Sequence, residues 1–411
     1  MERIIHFIKS LIKHYLVGDW QLWLIYLGLA AIGVLAVYSS SFSMAYREAG
    51  GDTERYLFLH LRSVLVGLGA VLFTCRFNYR WLTHVAELLL WLGIPLLIYT
   101  NLRGETIGEA SRWIRIMGFS FQPSDFIKFV LIVNIALLLA QKQNVAKEEY
   151  SFQSLSKAIF WTAGYCLALA NSGFSTAVLL GMTCFAVFWV GRVPRKFLVR
   201  MGLFVGFGLA FMLVLGLAAS SMGMKFGRAE VVIDRIESFG KDSFGAAWDI
   251  NRDGKVGGNV SGTSDQRLFS LAAIANGGMA GAGPGHGVHR YKLSESFSDL
   301  IFSVIVEEYG VIGAIIVISL YLWLLWKGLK NIQNTYRAFG GLLSIGLTLS
   351  IVIQAFFHIL VNVGFVPITG QTLPLVSWGG SSFLFTSIMF GIVIAISRGE
   401  EDEIRTARRR K

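Results

Sequence analysis

Apolar runs close to twenty residues long recur from one end of this chain to the other. The hydrocarbon core of a bilayer is about 30 Å thick and takes about 20 helical residues to cross. No water is available there to bond free N–H and C=O groups, so a chain built of such runs has to fold as helices packed on helices. Ten spans are predicted, over residues 20–40, 56–75, 81–100, 123–141, 158–169, 176–190, 201–222, 300–326, 339–361 and 378–397. The fifth and sixth are short and are separated only by Asn171-Ser172-Gly173, which reads as a tight hairpin or as two tilted half-helices. Composition agrees: 54% of the 411 residues are hydrophobic and 15% charged, against about a quarter charged in soluble proteins. With 45 Gly against 6 Pro, the chain also suits close helix packing in lipid. The fold class expected is therefore all-α, a polytopic membrane protein.

The net charge of +11 would suggest a nucleic-acid partner in a soluble protein. In a membrane protein it first reports orientation, because cytoplasmic loops collect Lys and Arg. Arg3, Lys9, Lys13, Arg76, Arg80, Lys142, Lys147, Lys157, Arg192, Arg195, Lys196, Arg200, Lys327, Lys330 and Arg337 all fall on one side, with the tail from Arg405 to Lys411. The short loops opposite hold Arg47, Arg55, Arg103, Arg112 and Arg115. Both termini are thus expected in the cytoplasm, with no nucleic-acid partner. Residues 1–19 form the N-terminal segment, 20–398 the membrane domain and 399–411 the basic tail. Residues 223–298 form one large extracytoplasmic loop; a connection of that length is usually functional or disordered. The N-terminus lacks the h-region and cleavage site of a signal peptide, so the first run is expected to stay as a span. Cys75, Cys166 and Cys184 all lie in apolar stretches, and an odd count there argues against a disulfide framework or a zinc site.

Three polar constellations interrupt the apolar background. The first is Ser111-Arg112-Trp113, then Gln122-Pro123-Ser124-Asp125 and Lys128. Lys128 falls one turn into a span, where a cation is costly and is usually paired or functional. With Arg112 it would suit a phosphate or pyrophosphate group; the alternatives are snorkelling for Lys128 and an interfacial belt for Trp113. The second runs from Tyr291 through Glu295 to Asp299, followed by Glu307-Glu308-Tyr309-Gly310. Partial desolvation would make Asp299 a better base, while helix capping is the other reading. For Glu307 and Glu308 the plainer reading is pairing with Arg or Lys inside the bundle. The third, Pro367 to Ser382, carries two prolines and several glycines and hydroxyls. It implies irregular backbone, which is tolerated at membrane depth only when buried in protein or lining a cavity.

Taken in order on this span pattern, these motifs resemble the SEDS family of cell-wall proteins (FtsW, RodA and SpoVE) along essentially the whole chain. The family pattern matches at Ser111-Arg112-Trp113, Gln122-Pro123-Ser124-Asp125 with Lys128, Leu293-Ser294-Glu295 with Ser298-Asp299, Glu307-Glu308-Tyr309-Gly310, and Pro367 to Ser382. The opening, with Val37-Tyr38-Ser39-Ser40, looks more like the FtsW branch, which favours division over elongation. Asp125, Ser294, Ser298 and Trp378 depart from the family's Glu, Pro, Thr and Tyr. Asn171 to Ala177 lacks the Asp that many members carry.

The resemblance implies a peptidoglycan glycosyltransferase that polymerises lipid II with inversion and releases polyprenyl pyrophosphate. Asp299 would be the essential acid and general base. Arg112 and Lys128 would offset charge on the departing pyrophosphate, and Trp113 and Glu295 would position sugar. Gln122, Asp125, Glu308 and Ser381 complete the expected substrate-binding set. The resemblance also implies a bacterial inner-membrane location at the division septum, with a class B penicillin-binding transpeptidase and other divisome proteins as partners. The alternatives are a flippase for the same lipid, an elongation-type polymerase, or a scaffold. No cofactor is required, although a divalent cation could share in neutralising the pyrophosphate. Asp249, Asn251 and Asp253 match half of a calcium loop, but Val260 stands where the bidentate Glu belongs. That stretch reads as an Asp/Asn/Gly turn, with calcium as the alternative.

Overall fold

The computed structural model describes residues 17–41, 53–107, 110–116, 119–143, 152–221, 263–289, 297–335 and 337–409. The helices are α1 (Trp20–Ser40), α2 (Thr53–Thr74), α3 (Leu82–Arg103), α4 (Pro123–Gln143), α5 (Phe152–Ser172), α6 (Phe174–Val190) and α7 (Arg195–Ser221), followed by α8 (Thr263–Gly277), α9 (Ile301–Asn334), α10 (Ala338–Asn362) and α11 (Gly380–Arg409). Every predicted span overlaps one of them. Among the described residues, α1 to α4 and α9 to α11 are long and apolar enough to cross a membrane, while α5 and α6 carry shorter apolar stretches. The protein is an all-α polytopic membrane protein.

Terminal N–H and C=O groups of a helix have no partner within it, and a side chain can supply one. At one end of the bundle Asp19 caps α1, its carboxylate accepting from Gln21 N–H at 2.9 Å. The same carboxylate pairs with Lys327 near the end of α9, and the Asp19 N–H donates to Ser397 Oγ of α11 at 3.2 Å. The α5–α6 ambiguity resolves as an antiparallel hairpin turned at Gly173, whose N–H bonds to Leu169 O at 2.7 Å. On its inner face a Cβ at Gly181 would lie 3.8 Å from Cys166 Sγ. All three cysteines are buried and unbonded to one another. The bundle is deepest around α10, which buries Leu343, Ile345, Leu347, Ile351 and Ala355 against its neighbours.

Two features depart from the expected outline. Residues 105–121 form a small antiparallel sheet, β1 (Glu105–Ile107), β2 (Ala110–Ile116) and β3 (Phe119–Phe121), in the order β1-β2-β3. The β-branched and aromatic residues Trp113, Ile114 and Ile116 in a short stretch are the signal that could have predicted a strand. In addition, the second half of the expected large loop is part of the packed structure. Helix α8 buries Leu268, Ser270 and Ala273, and Ser270 Oγ donates to Asn362 O of α10 at 2.9 Å.

The segment after α8 repairs a break in α9. Gly310 has φ +67° and ψ −165° inside that helix, which frees backbone groups that lipid cannot satisfy. Residues 278–283 supply the partners: Ala282 N–H bonds to Glu307 O at 2.9 Å, Gly283 N–H to Glu308 O at 3.0 Å, and Val311 N–H to Gly278 O at 3.0 Å. The approach requires glycine on both sides. A Cβ at Gly310 would lie 2.4 Å from Met279 O, and one at Gly281 2.2 Å from Glu308 O.

Candidate active site

The irregular segment from Thr369 to Trp378 lies within the bundle, with Leu373, Leu375, Val376 and Ser377 all buried. Its backbone carbonyls are capped one by one by side chains from surrounding helices. Ser175 Oγ at the head of α6 donates to Thr369 O at 3.1 Å, and Tyr321 of α9 donates to Pro374 O at 2.6 Å. From α10, His358 bonds Gln371 O at 2.7 Å and Gln354 donates to Thr372 O at 2.9 Å. Gln371 Nε2 in turn donates to Thr176 Oγ1 at 2.8 Å. The stretch around Gly173 departs from the family pattern by sequence, yet it has a task here: Ser175 and Thr176 hold this segment.

Asp299 docks onto the same segment. Ser377 Oγ donates to Ser298 O at 2.7 Å, and Trp378 N–H donates to Phe297 O at 3.0 Å. The rings of Phe297 and Trp378 lie 5.0 Å apart, and Tyr56 meets Trp378 edge-on at 5.6 Å. Asn362 donates to Asp299 O at 3.1 Å. The half-buried carboxylate accepts from Ser298 Oγ at 2.9 Å. Helix α9 starts at Ile301, with Leu300 at the N-cap position and no side-chain cap from it.

Lys128 is linked to the segment through Gln354. It is 4% exposed, so snorkelling does not describe it. Its Nζ donates to Gln354 Oε1 at 2.6 Å and lies 3.6 Å from Asp125 Oδ1. Asp125 Oδ2 accepts from Ser381 Oγ at 3.4 Å, and Ser381 Oγ accepts from Gln122 N–H at 3.0 Å. Four of the expected site residues, Gln122, Asp125, Lys128 and Ser381, thus form one network at the heads of α4 and α11. Strand β3 covers it, with Phe121 against Phe385 of α11 at 5.7 Å. Trp113 lies on β2, half-buried. Arg112 is on the same strand, its side chain outside the described part; Glu295 and the calcium half-loop Asp249, Asn251 and Asp253 also lie outside the described residues.

Glu307 pairs, among the described residues, with backbone N–H groups, Asn276 and His289 rather than with the expected Arg or Lys. Glu307 Oε1 accepts from Val288 N–H at 3.0 Å, His289 N–H at 3.2 Å and Asn276 Nδ2 at 3.1 Å, and meets His289 Nδ1 at 2.7 Å. It organises the segment that repairs α9. Glu308 is buried, and its carboxylate accepts from Ser39 of α1. Sequence reading missed Gln354, His358 and Asn362, although polar residues at i, i+4 and i+8 in an apolar span carry a helical-face signal. Among the described residues no group of three His, Cys, Asp or Glu side chains gathers as a metal site.

A half-buried carboxylate and a buried cation, both held against an irregular segment inside a helical membrane bundle, define an integral membrane protein with an embedded polar site. The chain belongs to the FtsW/RodA/SpoVE family of cell cycle proteins, whose family model matches residues 19–402. It is 30% identical over 394 residues to a probable peptidoglycan glycosyltransferase FtsW of Bacillus subtilis, covering 95% of this chain and 92% of that one. It is 28% identical over 384 residues to the corresponding protein of Geobacter sulfurreducens, covering 92% and 95%. Among solved structures it is similar to a chain from a peptidoglycan synthase complex, with a TM-score of 0.67 and 22% identity over 93% of this chain and 98% of that one. The rod-shape-determining protein RodA of Thermus thermophilus matches with a TM-score of 0.63 and 20% identity, covering 94% and 99%. At these identities the structural likeness establishes the fold.

Proposed function

We propose that this protein is a peptidoglycan glycosyltransferase that polymerises lipid II into glycan strands during septal wall synthesis. The observation that carries the reading is that the turn of Asp299 and the side chain of Lys128 are both tied to one buried segment, the first through Ser298 on Ser377 and Phe297 on Trp378, the second through Gln354. The names of the relatives support the same activity.

In this mechanism the 4-hydroxyl of one lipid-linked saccharide attacks the anomeric carbon of another. The bond from that carbon to the pyrophosphate oxygen breaks, with inversion, and polyprenyl pyrophosphate leaves. Asp299 takes the hydroxyl proton as general base. Lys128, with Arg112 on β2, offsets the charge that builds on the pyrophosphate, where electrostatic stabilisation counts most. Trp113 and Glu295 position sugar, and Gln122, Asp125 and Ser381 orient Lys128. Glu308 acts from within the bundle by fixing α9 to α1.

The charge asymmetry of the loops supports an inner-membrane protein with both termini in the cytoplasm and the Asp299 end outside. A class B penicillin-binding transpeptidase and other divisome proteins are the partners at the septum. A flippase built like many transporters would carry interrupted helices in matching halves. Among the described helices, α9 is broken at Gly310 and stitched closed by residues 278–283, while α3 runs from Leu82 to Arg103 with Pro95 inside it.

The test is polymerisation of lipid II by the purified protein, with and without its cognate transpeptidase. Glycan polymer is expected from the wild type and none from Asp299→Asn, with the variant's folding unchanged. Polymer at the wild-type level from Asp299→Asn would end the assignment of the base. Transbilayer movement of labelled lipid II without polymer would replace the enzyme reading by the flippase.

A further inference from the structure

Helix α10 carries Gln354, His358 and Asn362 at successive turns, one above another on a single face. Each makes a contact that the rest of the site depends on. Gln354 accepts from Lys128 Nζ at 2.6 Å and donates to Thr372 O at 2.9 Å. Asn362 donates to Asp299 O at 3.1 Å, and its Oδ1 accepts from Ser303 N–H at 3.0 Å. His358, 1% exposed, lies between them and bonds Gln371 O at 2.7 Å. Eight residues at 1.5 Å each place the Lys128 contact about 12 Å along the axis from the Asp299 contact.

The tautomer of His358 follows from its partner. A carbonyl oxygen can only accept, so Nδ1 carries the hydrogen and Nε2 holds a lone pair. Nε2 is buried without a hydrogen-bond partner among the described residues. Leaving a buried polar atom unbonded is unfavourable, and an aliphatic side chain would avoid it. The imidazole is therefore explained by its bond to Gln371. That carbonyl belongs to a stretch without regular secondary structure, where no helix or sheet ladder holds the backbone.

We infer that His358 is a positioning residue: its Nδ1–H on the Gln371 carbonyl sets the backbone between Lys128 and Asp299, so that both groups meet the substrate at the right separation. Its kinetic consequence rests on the glycosyl-transfer reading above; its structural consequence does not. His358 touches no reacting atom. It acts through residues 369–378, which also pin the Asp299 turn through Ser377.

Two isosteres separate the ring nitrogens. The Asn amide nitrogen sits where His Nδ1 does, and the Gln amide nitrogen where His Nε2 does. His358→Ala and His358→Gln should lower kcat for lipid II polymerisation by about 10- to 100-fold, the cost of an ångström-scale misplacement, with KM within about twofold. His358→Asn should stay within about threefold of wild type in both. Hydrogen exchange of the backbone amides of residues 369–378, on the same proteins in detergent, should be faster in the Ala and Gln variants and unchanged in Asn.

Wild-type kcat and unchanged exchange in His358→Ala would overturn the inference. Rescue by Gln in place of Asn would also overturn it, moving the role to Nε2. If the wild-type protein makes no polymer with its transpeptidase present, the enzyme reading has failed. The exchange measurements would then still decide whether His358 holds the segment.

Discussion

Asn362 closes α10 directly beneath Asp299: its side-chain amide donates to the Asp299 carbonyl at 3.1 Å, while its Oδ1 accepts from Ser303 Oγ at 2.7 Å. One fully buried amide therefore ties the turn that carries the proposed base to the first turn of α9 and the last turn of α10. Replacing it removes four hydrogen bonds together. Asn362→Ala is expected to cost about 1–3 kcal/mol through unpaired buried groups, read as a fall in unfolding temperature in detergent. It should also reduce kcat for lipid II polymerisation by about 100-fold by misplacing Asp299. Full activity in a variant that is measurably less stable would show that the position of Asp299 does not depend on Asn362.

Lys128 and Asp125 should separate stability from activity. Removing one member of a buried pair leaves an uncompensated charge, which costs about 3–5 kcal/mol. Lys128→Met is expected to be destabilised to that extent, because Asp125 would keep only Ser381 as a partner among the contacts described above. The double variant Asp125→Asn, Lys128→Met should recover most of the stability. Polymerisation should remain absent from both, since the cation is gone. Polymer from the double variant would reduce Lys128 to a structural role.

The repair of α9 by residues 278–283 makes Gly310→Ala severe. The residue has φ +67° and a Cβ would meet Met279 O at 2.4 Å and Gly281 N at 2.5 Å. Strain of about 1–3 kcal/mol adds to the loss of the paired backbone bonds, so membrane-inserted, folded protein should fall sharply on size exclusion. Gly69→Ala in α2 is the control. A Cβ there meets nothing within 4 Å, and the helix should gain up to about 1 kcal/mol. Equal yields from the two variants would contradict this account of the break.

Glu307 should tolerate loss of charge better than loss of its oxygen. Glu307→Gln keeps an acceptor for Val288 N–H and His289 N–H, whereas Glu307→Ala leaves both unpaired along with Asn276 Nδ2. Faster hydrogen exchange across residues 276–289 is expected in the Ala variant, with the Gln variant close to wild type. The same exchange rates in both would show that the carboxylate does not hold this segment.

The placement of the apolar helices along the chain and the polar motifs between them could be read from the sequence because lipid imposes a one-dimensional rule. Each crossing needs about 20 apolar residues, and each polar group inside one must have a reason to be there. Lys128 stood out on that ground, Asp125 and Ser381 were expected from the family resemblance, and the fold brings the three into one network. The partners could not be read in the same way. That Glu307 would serve the backbone of Val288 and His289, that Asn276 would join it, and that residues 278–283 would close the break at Gly310 all depend on contacts across many residues of intervening chain. The polar face of α10 lay in view as a spacing, but its meaning depended on the carbonyls of residues 371 and 372 arriving opposite it. Hydrophobic spacing determines which stretches enter the membrane. Which buried donor meets which acceptor is settled only when the helices pack, because an unbonded group in that interior is too costly to leave to chance.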